Sequence, residues 1–258
     1  MNDLAAMIRL IDALRPWLSH LVVVGGWAHQ LFRYHPSARA PRYEPLRTRD
    51  ADVAFSLSAS LEGDISKALQ QAGFLEELRG EHTPPVTRYW LGEADQGFYV
   101  EFLAPRGGSG RKRSGQRDTT VAKAGVTAQK LRHVDILLTD PWDLLLDAAP
   151  GLPISQPANV LIPNPVSFIG QRLLIHRQRD SKKRAQDVLY IHDTLELFGH
   201  RLEHLRAEWL DRVRPMLVGK TAAEIGHCRE IQFGEVTYVI REAARIPQDR
   251  TLRPDRIR

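Results

Sequence analysis

The sequence predicts an α/β (α+β) fold: a small mixed sheet flanked by helices over residues 1–160, then a mostly helical half over 161–258. Three observations carry that expectation. Short β-branched and aromatic runs alternate with helical stretches in the first half, in the order strand, helix, strand, helix, strand, strand. Two of those runs alternate with period 2, which sends successive side chains to opposite sheet faces. From Phe168 onward the chain reads as mostly helical.

In chain order, Leu4, Met7, Ile8, Ile11, Leu14 and Leu18 fall at helical spacing, so residues 3–18 predict an amphipathic helix. "HLVVVGG" is β-branched, apolar and closed by glycine, hence a short buried strand, after which "WAHQLFRYH" is helical and "PSARAPRYEP" a loop. In "DADVAFSLS", Asp50, Asp52 and Ala54 share one face while Ala51, Val53 and Phe55 share the other. "LEGDISKALQQAGF" is a helix ending at Gly73, and "TRYWL" with "GFYVEFLAP" forms an antiparallel pair. Residues 106–124, rich in Gly, Ser, Lys and Arg, read as a mobile loop. "LRHVDILLTDPWDLLLDAA" is undecided between strand and helix. "ANVLIPNP" is a strand stopped by a Pro-bounded turn. "SFIGQRLLIH" and "AQDVLYIHDTLELFG" are helices separated by a basic stretch. "HRLEHLRAEWLDRV" then places Leu202, Leu205, Trp209 and Val213 on one side.

Composition narrows the class. With 43% hydrophobic residues in 258, a sizeable core is available. No run approaches the ~18 apolar residues of a membrane span, and the first residues lack a signal-peptide pattern. A single cysteine, Cys228, excludes an internal disulfide framework and a cysteine-based zinc site, and is expected to be buried or neutral. His29, His35, His176 and His192 show no zinc-ligand spacing. A cytoplasmic protein with no membrane contact is expected. The net charge of +5 concentrates in Arg106–Arg117, His176–Arg184 and the tail. Such clusters suit phosphate-bearing partners, although a solvated loop and a frayed tail look the same.

The acids are more specific. Asp50 and Asp52 leave one strand face together and repel unless a cation lies between them. A divalent ion such as Mg²⁺ does this well because it prefers oxygen ligands. Glu101, inside the apolar "FYVEFLAP", needs a partner and is the candidate third acid. A D-x-D can also be the polar face of an edge strand, and a lone Glu can pair with Arg or Lys.

The series "VVVGGWAHQLF…RTRDADVAF…YVEFLAP" resembles the nucleotidyltransferase superfamily of the DNA polymerase β-like fold, over about residues 18–200. That family shows a Gly-Gly or Gly-Ser turn, a D-x-D some residues later and a third acid on a neighbouring strand. Arg47-Thr48-Arg49-Asp50-Ala51-Asp52 is similar to the R-x-S/T pattern of its AbiEii-like toxin–antitoxin branch. In "VLIPNPVSFIGQRLLIHRQRDSKKRAQDVLYI", Arg172 stands where that branch has a first Lys; Lys183 and Asp187 match, and Gln186 replaces a second Lys. Arg172, His176, Arg179, Lys183 and Asp187 form one basic stripe if the helix there is continuous.

The resemblance implies NMP transfer from an NTP to an acceptor hydroxyl with Mg²⁺ or Mn²⁺. Asp50, Asp52 and Glu101 are the implied catalytic and metal-binding acids. Gly25, Gly26, Trp27, Arg47, Thr48, Arg172, Lys183 and Asp187 are the implied nucleotide-binding positions. The serine hydroxyl of the Gly-Ser version is missing. Implied partners are NTP, tRNA or another RNA, and an antitoxin protein. Alternatives are an antibiotic-modifying nucleotidyltransferase, a silent nucleotide- or RNA-binding regulator of the same fold, and, more distantly, a one-metal hydrolase.

Overall fold

The computed structural model describes residues 3–39, 41–92, 97–111, 113–148, 152–217, 219, 221–225, 238–245 and 250. Cys228, Lys112 in the basic loop and tail residues 251–258 lie outside them.

Helix α1 (Asp3–Ala13) buries Met7, Ile8, Leu10 and Ile11, and a 3₁₀ turn carrying Pro16 follows. Strand β1 (Val22–Val24) leads into α2 (Gly25–Leu31), so the helix begins on the two glycines themselves. Strand β2 (Asp50–Ala54) precedes α3 (Ile65–Gln71), whose N-cap Asp64 accepts the Lys67 N–H at 2.9 Å. The helix gives way to Gly73 at φ +85°, as its sequence predicts. Strands β3 (Leu75–Arg79), β4 (Val86–Leu91) and β5 (Phe98–Pro105) follow.

The stretch expected to be loop over 106–124 contains a strand at its end, β6 (Thr120–Lys123), which pairs with β7 (Val126–Leu131). The undecided stretch resolves into the end of β7, the one-turn helix α4 (Val134–Leu137) and β8 (Trp142–Leu146). Strand β9 (Ala158–Ile162) and α5 (Pro165–Ile175) meet at Asn164, which caps the helix by accepting the Ser167 N–H. Pro165 fits the first turn because its missing N–H has no partner there in any case. Helices α6 (Ser181–Phe198) and α7 (Leu202–Glu208) complete most of the second half, with a further helix at Tyr238–Ala244. Leu205 and Val213 are buried as expected, whereas Leu202 is exposed.

Among the described residues the mixed sheet has nine strands, in the order β3-β4-β5-β2-β1-β9-β8, with β7 also on β5 and β6 on β7. Strand β2 lies antiparallel to β1 and parallel to β5. One face carries the main core, where Val23, Val53, Val100 and Phe102 meet α1 and the Phe168, Tyr190 and Phe198 rings of the later helices. Each such side chain fully buried is worth roughly 1.5–3 kcal/mol. The opposite face holds a smaller cluster of Val22, Val24, Ala54 and Leu103 under Val134 and Leu137 of α4. Asp50 and Asp52 stand beside that smaller cluster. No helix among the described residues is long and apolar enough to cross a membrane.

Candidate functional site

Strand register assembles the acids. Val24 of β1 lies opposite Asp52 of β2, Asp52 opposite Glu101 of β5, and Glu101 opposite Arg88 of β4. Register partners on neighbouring strands share a face, so one row carries Asp52, Glu101 and Arg88. Asp50 lies two residues earlier on that face, beside Tyr99. The alternate residues Ala51, Val53, Val100 and Phe102 are wholly buried in the main core, which fixes the acids on the other side.

The glycines belong to the same construction. Gly25 has φ +67°, and a Cβ there would overlap Asp52 Oδ2. A Cβ on Gly26 would lie 2.6 Å from the Thr48 methyl and 2.9 Å from the Tyr190 hydroxyl. The space of the missing serine side chain is therefore taken by Thr48 and Tyr190. The Thr48 hydroxyl in turn donates to Asp50 Oδ1.

Asp52 is half-buried, and burial first, then Asp50 and Glu101, push its carboxyl up to about 7. Burial also raises the Asp50 carboxyl, against a backbone hydrogen bond that lowers it. Burial and the same acids push the Tyr99 phenol up to about 12, so it stays protonated at neutral pH.

The facing wall is cationic. The two helices expected on either side of the basic stretch are separate, so the condition for one continuous stripe over 172–187 is not met: a 3₁₀ turn covers His176–Gln178, Arg179 is extended, and Asp180 caps α6. Arg172, Arg179 and Lys183 nevertheless line one cavity with the acids. The Arg172 guanidinium lies 4.9 Å from each of the Phe168 and Tyr190 ring centroids. His176 adds no charge at neutral pH, because burial, Arg184 and Arg179 push its imidazole down to about 4.

Asp187 does not line the cavity. It is fully buried behind the wall and accepts from Arg172 at 3.3 Å and Arg179 at 2.9 Å. It serves there as the counter-charge shared by the two arginines. Asp187→Ala leaves two guanidiniums without their buried counter-charge and is expected to destabilise the fold by about 3–5 kcal/mol. Denaturant unfolding checks this; a loss below about 1 kcal/mol would show that the pair is no more than a surface contact.

Trp27 is likewise absent from the acid cavity. Its ring packs edge-on against Phe98, with centroids 5.8 Å apart, inside the core. The acid cavity, of about 490 Å³, adjoins one of about 430 Å³ on the glycine side. Both include Gly25, Asp50, Asp52, Arg172, Arg179 and Lys183; Gly26, Arg47 and Thr48 line the second only. Glu101 lines the first only.

Asp50 and Asp52 suit a divalent cation: two carboxylates on one face, with one held far above its ordinary range by burial and by its neighbouring acids. Glu101 suits it less well. Its Oε1 accepts from Arg88 Nε at 2.6 Å and from Arg88 Nη2 as well. Among the described residues no group of three or more His, Cys, Asp or Glu is gathered to hold a metal ion.

Sequence reading missed Arg88, Gln129 and Arg132, which line the acid cavity together with Tyr99 and with Arg106, the first residue of the basic cluster. Arg88 had a signal, because a charge inside the apolar strand "TRYWL" needs a partner as much as Glu101 does.

A family model described as Nucleotidyltransferase matches residues 2–213. Among solved structures, the chain is similar to the crystal structure of an antigenic nucleotidyltransferase-like protein from Paracoccidioides brasiliensis. Identity is 15%, coverage 75% of each chain and the TM-score 0.40. No curated protein matches the chain.

Proposed function

Because the chain belongs to this nucleotidyltransferase family, we propose that it moves an NMP from an NTP to an acceptor hydroxyl at the Asp50–Asp52 cavity. One observation carries the reading: two carboxylates, two guanidiniums and an ammonium line one cavity, and Gly25 is part of the same lining. Metal-bound phosphate suits the carboxylates and free phosphate oxygens the cations.

In the transfer, the acceptor oxygen bonds to the α-phosphorus, the bond to the bridging oxygen breaks, and pyrophosphate leaves with that oxygen. Mg²⁺ or Mn²⁺ on Asp50 and Asp52 would supply Lewis-acid charge at the phosphoryl oxygens. Lys183, Arg172 and Arg179 offset the triphosphate charge, and Asp187 holds the two arginines in place. Gly25 and Gly26 let backbone approach phosphate closely. Arg47 adds charge on the same side, and Thr48 orients Asp50. Glu101 stands on the acceptor side, where its carboxylate takes the hydroxyl proton.

The acceptor we favour is RNA, with tRNA the first candidate. The acid cavity is also lined by Arg106, just past β5, by Gln129 of β7 and by Arg132, and among the described residues its lining holds no carboxylate besides Asp50, Asp52 and Glu101. That chemistry suits a phosphodiester chain and not a polycationic antibiotic. The RTRDAD and Lys183–Asp187 motifs support an AbiEii-like, antitoxin-controlled setting in the cytoplasm.

The test is incubation with Mg²⁺, each labelled NTP and total tRNA. The wild-type chain is expected to label RNA, and Asp50→Ala/Asp52→Ala to label none. Arg106→Ala/Arg132→Ala should raise KM for RNA by about tenfold and leave KM for NTP unchanged. Equal labelling by the double aspartate variant sinks the assigned site. No labelling, with no metal-dependent NTP binding, favours the silent regulator.

A further inference from the structure

The third acid of the row is already matched by a cation that the fold itself supplies. Arg88 lies directly opposite Glu101 in the β4–β5 register, and its fork donates through Nε and Nη2 to Glu101 Oε1. The guanidinium is held from other sides too. Its carbon lies 4.4 Å from the Tyr99 ring centroid and 5.4 Å from that of Trp90. The Trp90 indole is fixed by donating to Glu77 at 2.6 Å. Side-chain exposures of 17% for Arg88 and 23% for Glu101 leave the pair mostly out of water, where opposite charges hold each other more strongly than at the surface. An arginine fixed by strand register, two aromatic faces and a two-pronged carboxylate contact is a built feature, unlike a surface side chain resting on the nearest acid.

The contrast within the row is sharp. Among the described residues no arginine or lysine is bonded to Asp50 or Asp52, and both carboxyls are raised by burial. Glu101 has a full positive charge bonded to one oxygen. A divalent ion joining Glu101 would have to approach that guanidinium closely, and like charges in a half-buried site oppose this. We infer that this chain works with one divalent ion, held by Asp50 and Asp52, while Arg88 supplies at Glu101 the fixed positive charge that a second ion would bring. Arg88 then has two tasks on the acceptor side: it keeps Glu101 oriented toward the cavity and keeps a second ion out.

The inference rests on the nucleotidyl-transfer reading, and electron paramagnetic resonance of Mn²⁺ separates the two. The full chain is titrated with Mn²⁺ in the presence of a non-hydrolysable NTP analogue, and circular dichroism verifies each fold. The wild-type chain is expected to hold one uncoupled Mn²⁺. Arg88→Met should hold a spin-coupled pair, and Arg88→Met/Glu101→Gln should return to a single ion. Arg88→Lys keeps the charge and should stay at one. A coupled pair in the wild-type chain, or a single ion in a folded Arg88→Met chain, overturns the inference. No protein-bound Mn²⁺ at all, or unchanged binding by Asp50→Asn/Asp52→Asn, overturns the nucleotidyl-transfer reading instead.

Discussion

Asp52→Asn is expected to abolish nucleotidyl transfer, by about a thousandfold or more, and at the same time to stabilise the metal-free fold at neutral and alkaline pH. On the proposed mechanism, the loss follows from removing a charged oxygen that would hold the ion at the phosphoryl group. The gain follows from burial. The Asp52 carboxyl titrates at about 7 in the folded chain against an ordinary value of 3.8. Between those values the folded state keeps a proton that the unfolded state has released, so stability falls as pH rises through the window. Above it the folded chain carries a buried carboxylate at a cost on the order of a few kcal/mol. Asparagine has the same shape without that cost. Thermal unfolding in EDTA should show a higher Tm for Asp52→Asn at pH 8 and no difference at pH 3. Equal Tm values at pH 8 would remove the electrostatic account of the site, and saturating Mg²⁺ should reverse the order in favour of the wild type.

Gly25→Ala is expected to cost about 2–4 kcal/mol of stability and about a hundredfold in transfer rate. Two effects add. A side chain at φ +67° is strained, and its Cβ would overlap the Asp52 carboxylate, which must move. Gly73→Ala separates them, because Gly73 also has positive φ, at +85°, yet meets only the flexible end of Arg9. It should lower the Tm while leaving transfer intact. A Gly25→Ala chain with unchanged transfer would mean that the turn does not position Asp52.

Much of this was legible in the sequence because the signals were local. The alternation in DADVAF and FYVEFL placed the three acids on their faces, and Gly25-Gly26 marked the turn. What escaped depends on pairings between distant segments. Arg88 meets Glu101 only through the β4–β5 register, which no periodicity encodes. Asp187 stands out in the sequence because it matches the family's motif four residues after Lys183, but it is buried against Arg172 and Arg179, a pairing with another helix and the preceding turn that the motif does not encode. Trp27 follows the glycines in sequence, yet the first turn of α2 carries its ring toward Phe98. The short strands β3, β6 and β8 carry mixed polar and apolar residues, too few to show a period.

The row from Val24 through Asp52 and Glu101 to Arg88 also determines which length changes the protein tolerates. Between Ala54 and Phe98 the chain forms a helix and two strands before returning to lie beside β2. The offset between Asp52 and Glu101 is set by β2–β5 pairing and not by the route between them. Insertions in the connection before α3 or between β3 and β4 should therefore leave the acids in place. One residue deleted inside β5 would instead turn Glu101 to the core face and bring Phe102 to the cavity. Evolution can lengthen the loops of this chain freely, but its central strands can lengthen or shorten only in steps of two.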